Sequence, residues 1–250
     1  MDLNKRTTTA KSSVSDVIID QGLRSYMLKV YNYMASGVLL TGFVALLFFK
    51  LAVVSGDNGQ IIGLTNFGNT IYASGLKWVL MLAPLGVVFY MSFGIAKMSA
   101  SKAQTTFWVF AALMGASLSS IFLLYTGASI TRVFFITAGT FGAMSLYGYT
   151  TKRDLTKLGG FLFMGLIGII IASIVNIFIG SSALQFAISV IGVLVFVGLT
   201  AYDTQNIKNM YLAGDSEEIG SKKALMGALK LYLDFINLFI LLLQLFGQRR

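Results

Sequence analysis

The chain contains no cysteine and no histidine. Without cysteine it can form no disulfide, no thiolate nucleophile and no thiolate metal site. Without histidine it lacks the side chain that ordinarily titrates near neutrality and a leading ligand for zinc or iron. Any pH response must therefore come from carboxylates or other groups. Proline occurs once, at Pro84, and charge is scarce, with 12% of residues charged against 56% hydrophobic. A soluble domain of 250 residues needs more polar surface than that. The segment Met1–Ser25 is polar and mixed in charge, without the apolar core of a cleaved signal peptide.

Long apolar runs take the place of what is missing. Crossing a hydrocarbon core of about 30 Å takes roughly 20 helical residues. The runs here are continuous rather than alternating, which favours helices over a transmembrane β-barrel. Stop signals of charge, glycine or polar clusters delimit seven expected helices: Lys29–Val54, Trp78–Lys97, Thr105–Tyr125, Arg132–Tyr149, Gly159–Ile179, Ala183–Asp203 and Ala224–Phe246. The expected fold is an all-α membrane protein, a seven-transmembrane-helix bundle over residues 29–250. Residues 1–28 form a cytoplasmic N-terminal tail in this reading, and the first helix serves as the uncleaved insertion signal. The segment Ser55–Lys77, rich in glycine and asparagine, reads as an external loop. Thr204–Lys223 reads as a cytoplasmic connection that stays helical at first.

The net charge of +9 would suggest nucleic acid in a soluble protein, but no basic-aromatic patch on a soluble module exists to bind it. Sidedness explains it better. Lys5, Arg6, Lys11, Arg24, Lys29, Lys97, Lys102, Lys152, Arg153, Lys157, Lys208, Lys222 and Lys223 fall on one side of the membrane. Lys50, Lys77, Arg132, Arg249 and Arg250 fall on the other, and Lys230 lies early in helix 7. The excess places the N-terminus in the cytoplasm and the C-terminus outside. Arg249 and Arg250 pull the other way, and the alternative is a helix 7 that re-enters the membrane and returns the C-terminus to the cytoplasm.

Eight of the ten acids (Asp2, Asp16, Asp20, Asp57, Asp154, Asp215, Glu217 and Glu218) lie in the tail or in connections. Asp203 and Asp234 alone fall inside apolar runs. A carboxylate in hydrocarbon is costly and ordinarily faces a cavity, a pore or a partner. Helices 6 and 7 are consecutive and antiparallel, so the two acids can be neighbours. Asp234 lies roughly 15 Å along helix 7. The bland alternative is that each acid binds a lysine or hydroxyl and fixes packing. Lys230, four residues before Asp234, can pair with it within the helix or extend to the interface. Pro84 is expected to kink helix 2, the glycines of helices 5 and 6 to serve close packing, and Trp78 to anchor at the interface.

The runs GLTAYDTQNIK (198–208) and ALKLYLDFINLF (228–239), with the central SLSSIF (117–122) through YGYTTKRDL (147–155), resemble the signatures of the transmembrane Bax inhibitor motif family, also called the Bax inhibitor-1 family. The resemblance runs from about Tyr26 to Gly247. It implies a fold with helix 7 central and surrounded by the other six. It implies a role in membrane calcium homeostasis, with members acting as pH-sensitive calcium leak channels. The matching positions of the family's aspartate pH sensor are Asp203 and Asp234, which would also meet the permeating calcium transiently. In some members a basic residue near the inner end of helix 2 closes the pore on this pair, and Lys97 is the cation at that end here. The external loop is longer than in compact members, and no extended basic tail follows helix 7. The latter favours the bacterial branch and an inner-membrane location.

Two nearby carboxylates in a low-dielectric site repel and titrate as a unit. A shared proton would bridge helices 6 and 7 and keep a path shut. Full deprotonation would break the bridge and offer oxygen ligands suited to calcium. Calcium enters here as permeating ion, with no cofactor. The second reading is a modulator or binding partner of a membrane-bound AAA protease, acting through Met1–Ser25 and Thr204–Lys223. A retinal protein would need a mid-membrane lysine in helix 7, and Lys230 lies too near the cytoplasmic end. No serine–histidine, zinc or nucleotide motif is present, so the chain reads as a non-enzyme.

Overall fold

The computed structural model describes residues 3–56 and 60–250, with side chains described from Gln21 onward. Asp57 and the side chains of the N-terminal tail through Asp20 lie outside the described residues. The long helices are α1 (Leu3–Ala52), α2 (Leu76–Gly94), α3 (Ala100–Leu118), α4 (Gly127–Thr150), α5 (Thr156–Ile179), α6 (Ser182–Asn209) and α7 (Glu217–Phe246). A 3₁₀ turn, Ile95–Lys97, extends α2, and a short helix, Ile121–Leu124, follows α3. All seven are long and apolar enough to cross a membrane, α1 by its portion Gln21–Ala52. The chain is therefore a seven-span, all-α membrane protein.

Three helix ends lie furthest beyond their expected positions. The apolar span of α1 begins at Gln21 rather than Lys29, and Tyr26 and Met27 are already buried. Helix α6 continues past Asp203 to Asn209, with Thr204 and Ile207 fully buried. Helix α7 starts at Glu217 rather than Ala224. Ser216 caps it by accepting from Ile219 N–H, with Glu217 and Glu218 in its first turn. Acids there complement the positive end of the helix dipole. The charges that suggested a stop instead pair beside the helix end, Lys223 with Asp215 at 2.6 Å and Lys222 with Glu218 at 3.8 Å.

The segment Ser55–Lys77 is more ordered than the loop expected there. Val53–Ser55 pairs antiparallel with Ile61–Leu64, and a helical stretch, Asn66–Ala73, follows. β-branched residues on both sides of the turn favour the pairing. Thr65 caps the helical stretch by accepting from Gly68 N–H. Tyr72 then donates to Ser119 Oγ at 2.8 Å and fixes the segment to the end of α3. Helix α2 remains continuous through Pro84.

Burial is uneven. In the hydrophobic window of α7, 72% of residues are buried, against 11–39% in the other six spans. The principal neighbours of α7 are α6, α1, α4 and α3, while α2 packs chiefly on α3 and α5 on α6. Helix α6 crosses α4 where Gly148 lies against the backbone of Ala201, an approach that leaves no room for a Cβ. Gly180, at φ 66°, ends α5 in the left-handed region, and Ser181 then caps α6.

The re-entrant alternative for the last helix is overturned. Helix α7 is one uninterrupted span, and the residues after it join the connection between α3 and α4. Thr126 N–H donates to Gln248 O at 3.0 Å and Arg250 N–H donates to Leu124 O at 3.0 Å. Gln248 N–H donates to Ser129 Oγ at 2.9 Å. These partners hold the chain end on the face opposite the α6–α7 connection.

Candidate functional site

Asp203 enters the bundle from α6 and Asp234 from α7, the two helices that pack most extensively on each other. The acids are 6% and 5% exposed, respectively. Their carboxyl groups are neighbours across the α6–α7 interface. Asp203 Oδ1 and Asp234 Oδ2 are buried and accept no hydrogen bond from the protein. An ionised carboxylate is an acceptor only, whereas a protonated one donates. One proton between the groups would thus give a donor to a pair that otherwise holds only acceptors.

The neighbouring cation is Lys230, and its partner is not Asp234. Lys230 Nζ lies 3.5 Å from Asp203 Oδ1, on the adjacent helix, with the lysine side chain 41% exposed. The within-helix pair suggested by spacing does not form. Asp234 turns into the core, while Lys230 stays at the rim and meets the acid on α6. Lys97, at the end of the 3₁₀ turn, is exposed and pairs with neither aspartate.

Two hydrogen-bonded chains hold the surroundings in place. Thr204, next to Asp203, donates to the Thr200 carbonyl at 2.7 Å. Its one proton being used, it accepts from Ser145 Oγ at 3.0 Å, and Ser145 in turn accepts from Tyr31 Oη at 2.6 Å. This chain ties α1 and α4 to α6 one residue from the acid. On the other side, Thr41 donates to the Ala111 carbonyl at 2.8 Å and accepts from Tyr232 Oη at 2.6 Å. Tyr232 is fully buried, two residues before Asp234, and so joins α7 to α1 and α3. Neither chain was read from the sequence. The available signal was the hydroxyl residues inside apolar helices, which commonly bond across helices.

Among the described residues, no cluster of three or more acids is present. Calcium takes six to eight oxygen ligands in a stable cage. Two carboxylates alone supply fewer oxygens than such a cage requires.

The family model described as inhibitor of apoptosis-promoting Bax1 matches residues 23–250. A Rickettsia prowazekii protein is 49% identical over 98% of this chain and 96% of its own length. Inner membrane protein YbhL of Escherichia coli is 48% identical, over 94% of this chain and 97% of its own. A Borreliella burgdorferi protein is 45% identical, covering 90% and 92%. With the model matched along nearly the whole chain and relatives close to half identical from end to end, this multi-pass membrane protein belongs to the Bax inhibitor-1 family.

Proposed function

We propose that the protein is a pH-sensitive calcium leak pathway whose gate is the Asp203–Asp234 pair, with calcium as the permeating ion. No resident cofactor or enzymatic step is part of this reading. Its location is the bacterial inner membrane, as the name of the Escherichia coli relative says of that protein, with the N-terminus cytoplasmic.

The observation that supports it is the pair of buried carboxylate oxygens without a donor, beside one lysine. With one proton shared, the two acids carry a single negative charge, which Lys230 balances. The cluster is then neutral and bridged, and α6 is held to α7. Loss of that proton leaves two negative charges against one positive. Repulsion between the acids opposes close packing of the helices, and the excess charge attracts a divalent cation. Flux is therefore lowest while the proton is shared and rises as pH increases through its loss.

Calcium entry into proteoliposomes, followed across pH, tests this reading. Asp234→Asn, which keeps a donor in place permanently, should hold flux low and flatten its pH dependence. Asp203→Asn should do the same and release Lys230. An unchanged pH dependence in both variants would sink the mechanism. Unchanged flux together with co-purification of a membrane protease in mild detergent would favour the partner role instead.

A further inference from the structure

Helices α1 and α4 are bridged by the Tyr31–Ser145 hydrogen bond but are not among the closely packed pairs of the bundle. Between them, in the half toward the N-terminal side of the membrane, lies a groove of about 660 Å³. That falls within the range of ligand sites, about 300–1,000 Å³. Arg24, Leu28 and Tyr31 line it from α1, and Gly142, Ser145 and Tyr149 from α4. The rims face outward, with Leu28 52% and Leu146 62% exposed, so the groove opens to the acyl chains of the bilayer.

Its chemistry is ordered along its length. Arg24, at the start of the membrane-crossing part of α1, puts a guanidinium at the polar end. Lys208 lies near the same rim but is engaged by Tyr149, with Nζ 5.2 Å from the ring centre and 2.8 Å from the carbonyl, which leaves Arg24 as the cation at the groove. From Arg24 to Tyr31 the helix rises about 10 Å, along an apolar wall that ends at the Tyr31 and Ser145 hydroxyls. A Cβ on Gly142, one turn beyond Ser145 on the wall of the groove, meets nothing within 4 Å, so that wall faces open space. A cation at headgroup depth above an apolar slot suits a molecule with one anionic end and one hydrocarbon tail.

We infer that this groove is a binding site for an anionic phospholipid of the N-terminal-side leaflet. The phosphodiester meets Arg24, and an acyl chain lies between α1 and α4. Arginine forks suit phosphate oxygens, and basic pockets between transmembrane helices are a recognised form of headgroup site. The floor of the groove is the hydroxyl chain that reaches Thr204, so an occupant touches the support next to Asp203.

Native mass spectrometry of the intact protein in mild detergent tests the site, using phosphatidylglycerol and phosphatidylcholine of matched chains. The unaltered protein should retain phosphatidylglycerol about fivefold better, the value of one cation near the headgroup. Arg24→Gln should abolish the preference while leaving chain binding. Gly142→Leu should reduce retention of both lipids, and because its added atoms enter open space the fold should persist, shown by an unchanged melting temperature. Equal retention of the two lipids by the unaltered protein would overturn the inference. So would wild-type retention in Gly142→Leu, or displacement of the lipid by glycerol phosphate, which has no chains. Lipid retention is measured without calcium, so it stands or falls separately from the flux.

Discussion

Lys230 does more at the aspartate pair than its place in the helix suggests. It lies 3.5 Å from Asp203 and supplies the positive charge that balances a singly protonated pair. Its removal makes the doubly ionised state harder to reach. Lys230→Gln should therefore move the flux–pH curve to the alkaline side and lower flux at neutral pH several-fold, read in the same proteoliposomes. A curve that stays in place would show that the exposed lysine is too well screened by water to matter. Asp203 and Asp234 could be singled out from sequence because an acid in an apolar run is costly wherever the helices pack. The partner of Lys230 could not. It depends on how α6 slides against α7, and residue spacing within one helix carries no such register. Lys97 pairs with neither acid in this structure, and nearness to a helix end does not say which way that end faces.

Between helices, the α4–α6 crossing is set by backbone contact. Gly148 lies against the Ala201 carbonyl, whereas a Cβ on Gly168 of α5 would meet nothing. Gly148→Ala should destabilise the protein by about 1–3 kcal/mol, the usual cost of overpacking. Gly168→Ala should stabilise by about 0.5–1 kcal/mol, through the lower helix propensity of glycine. Thermal unfolding in detergent distinguishes the two, and equal effects would mean that the crossing relaxes freely. The number and order of the spans were legible because a hydrocarbon core demands long apolar runs. The ends of α6 and α7 were not, since Lys208, Glu217 and Lys222 look like stops but lie in helical turns where water or an opposite charge accommodates them. The strand pair after α1 was hidden by the glycines and asparagine around it in the sequence, although Val53, Val54, Ile61 and Ile62 carried the strand signal.

Across the assembled bundle, the alternation of spans puts Glu218 and the chain end on opposite faces. With no native cysteine, single introduced thiols can report sidedness directly. Gly127→Cys sits at an exposed helix start where added atoms meet open space, and Glu218 is exposed as well. A membrane-impermeant maleimide applied to intact cells should label Gly127→Cys and leave Glu218→Cys unlabelled until the cells are opened. The reverse pattern would invert the proposed orientation. The seven-span reading put the C-terminus on the side of the α3–α4 connection, where its residues are bonded. The hydrogen bonds that fix it there involve backbone groups of Leu124, Thr126, Gln248 and Arg250, which side-chain identity does not reveal.

The deep burial of α7 also bears on how the protein is made. Helix α7 is the last of the seven spans to leave the ribosome, yet it fills the space that α1, α3, α4 and α6 share. Until it arrives, a nascent chain with six inserted helices holds Asp203 and Thr41 without the α7 side chains that flank them in the finished bundle. Such a chain leaves those polar groups without the neighbours that bury them in the finished bundle. Arrival of α7 covers those groups and lets residues 247–250 bond to the α3–α4 connection, so the seventh span is also the one that closes the bundle.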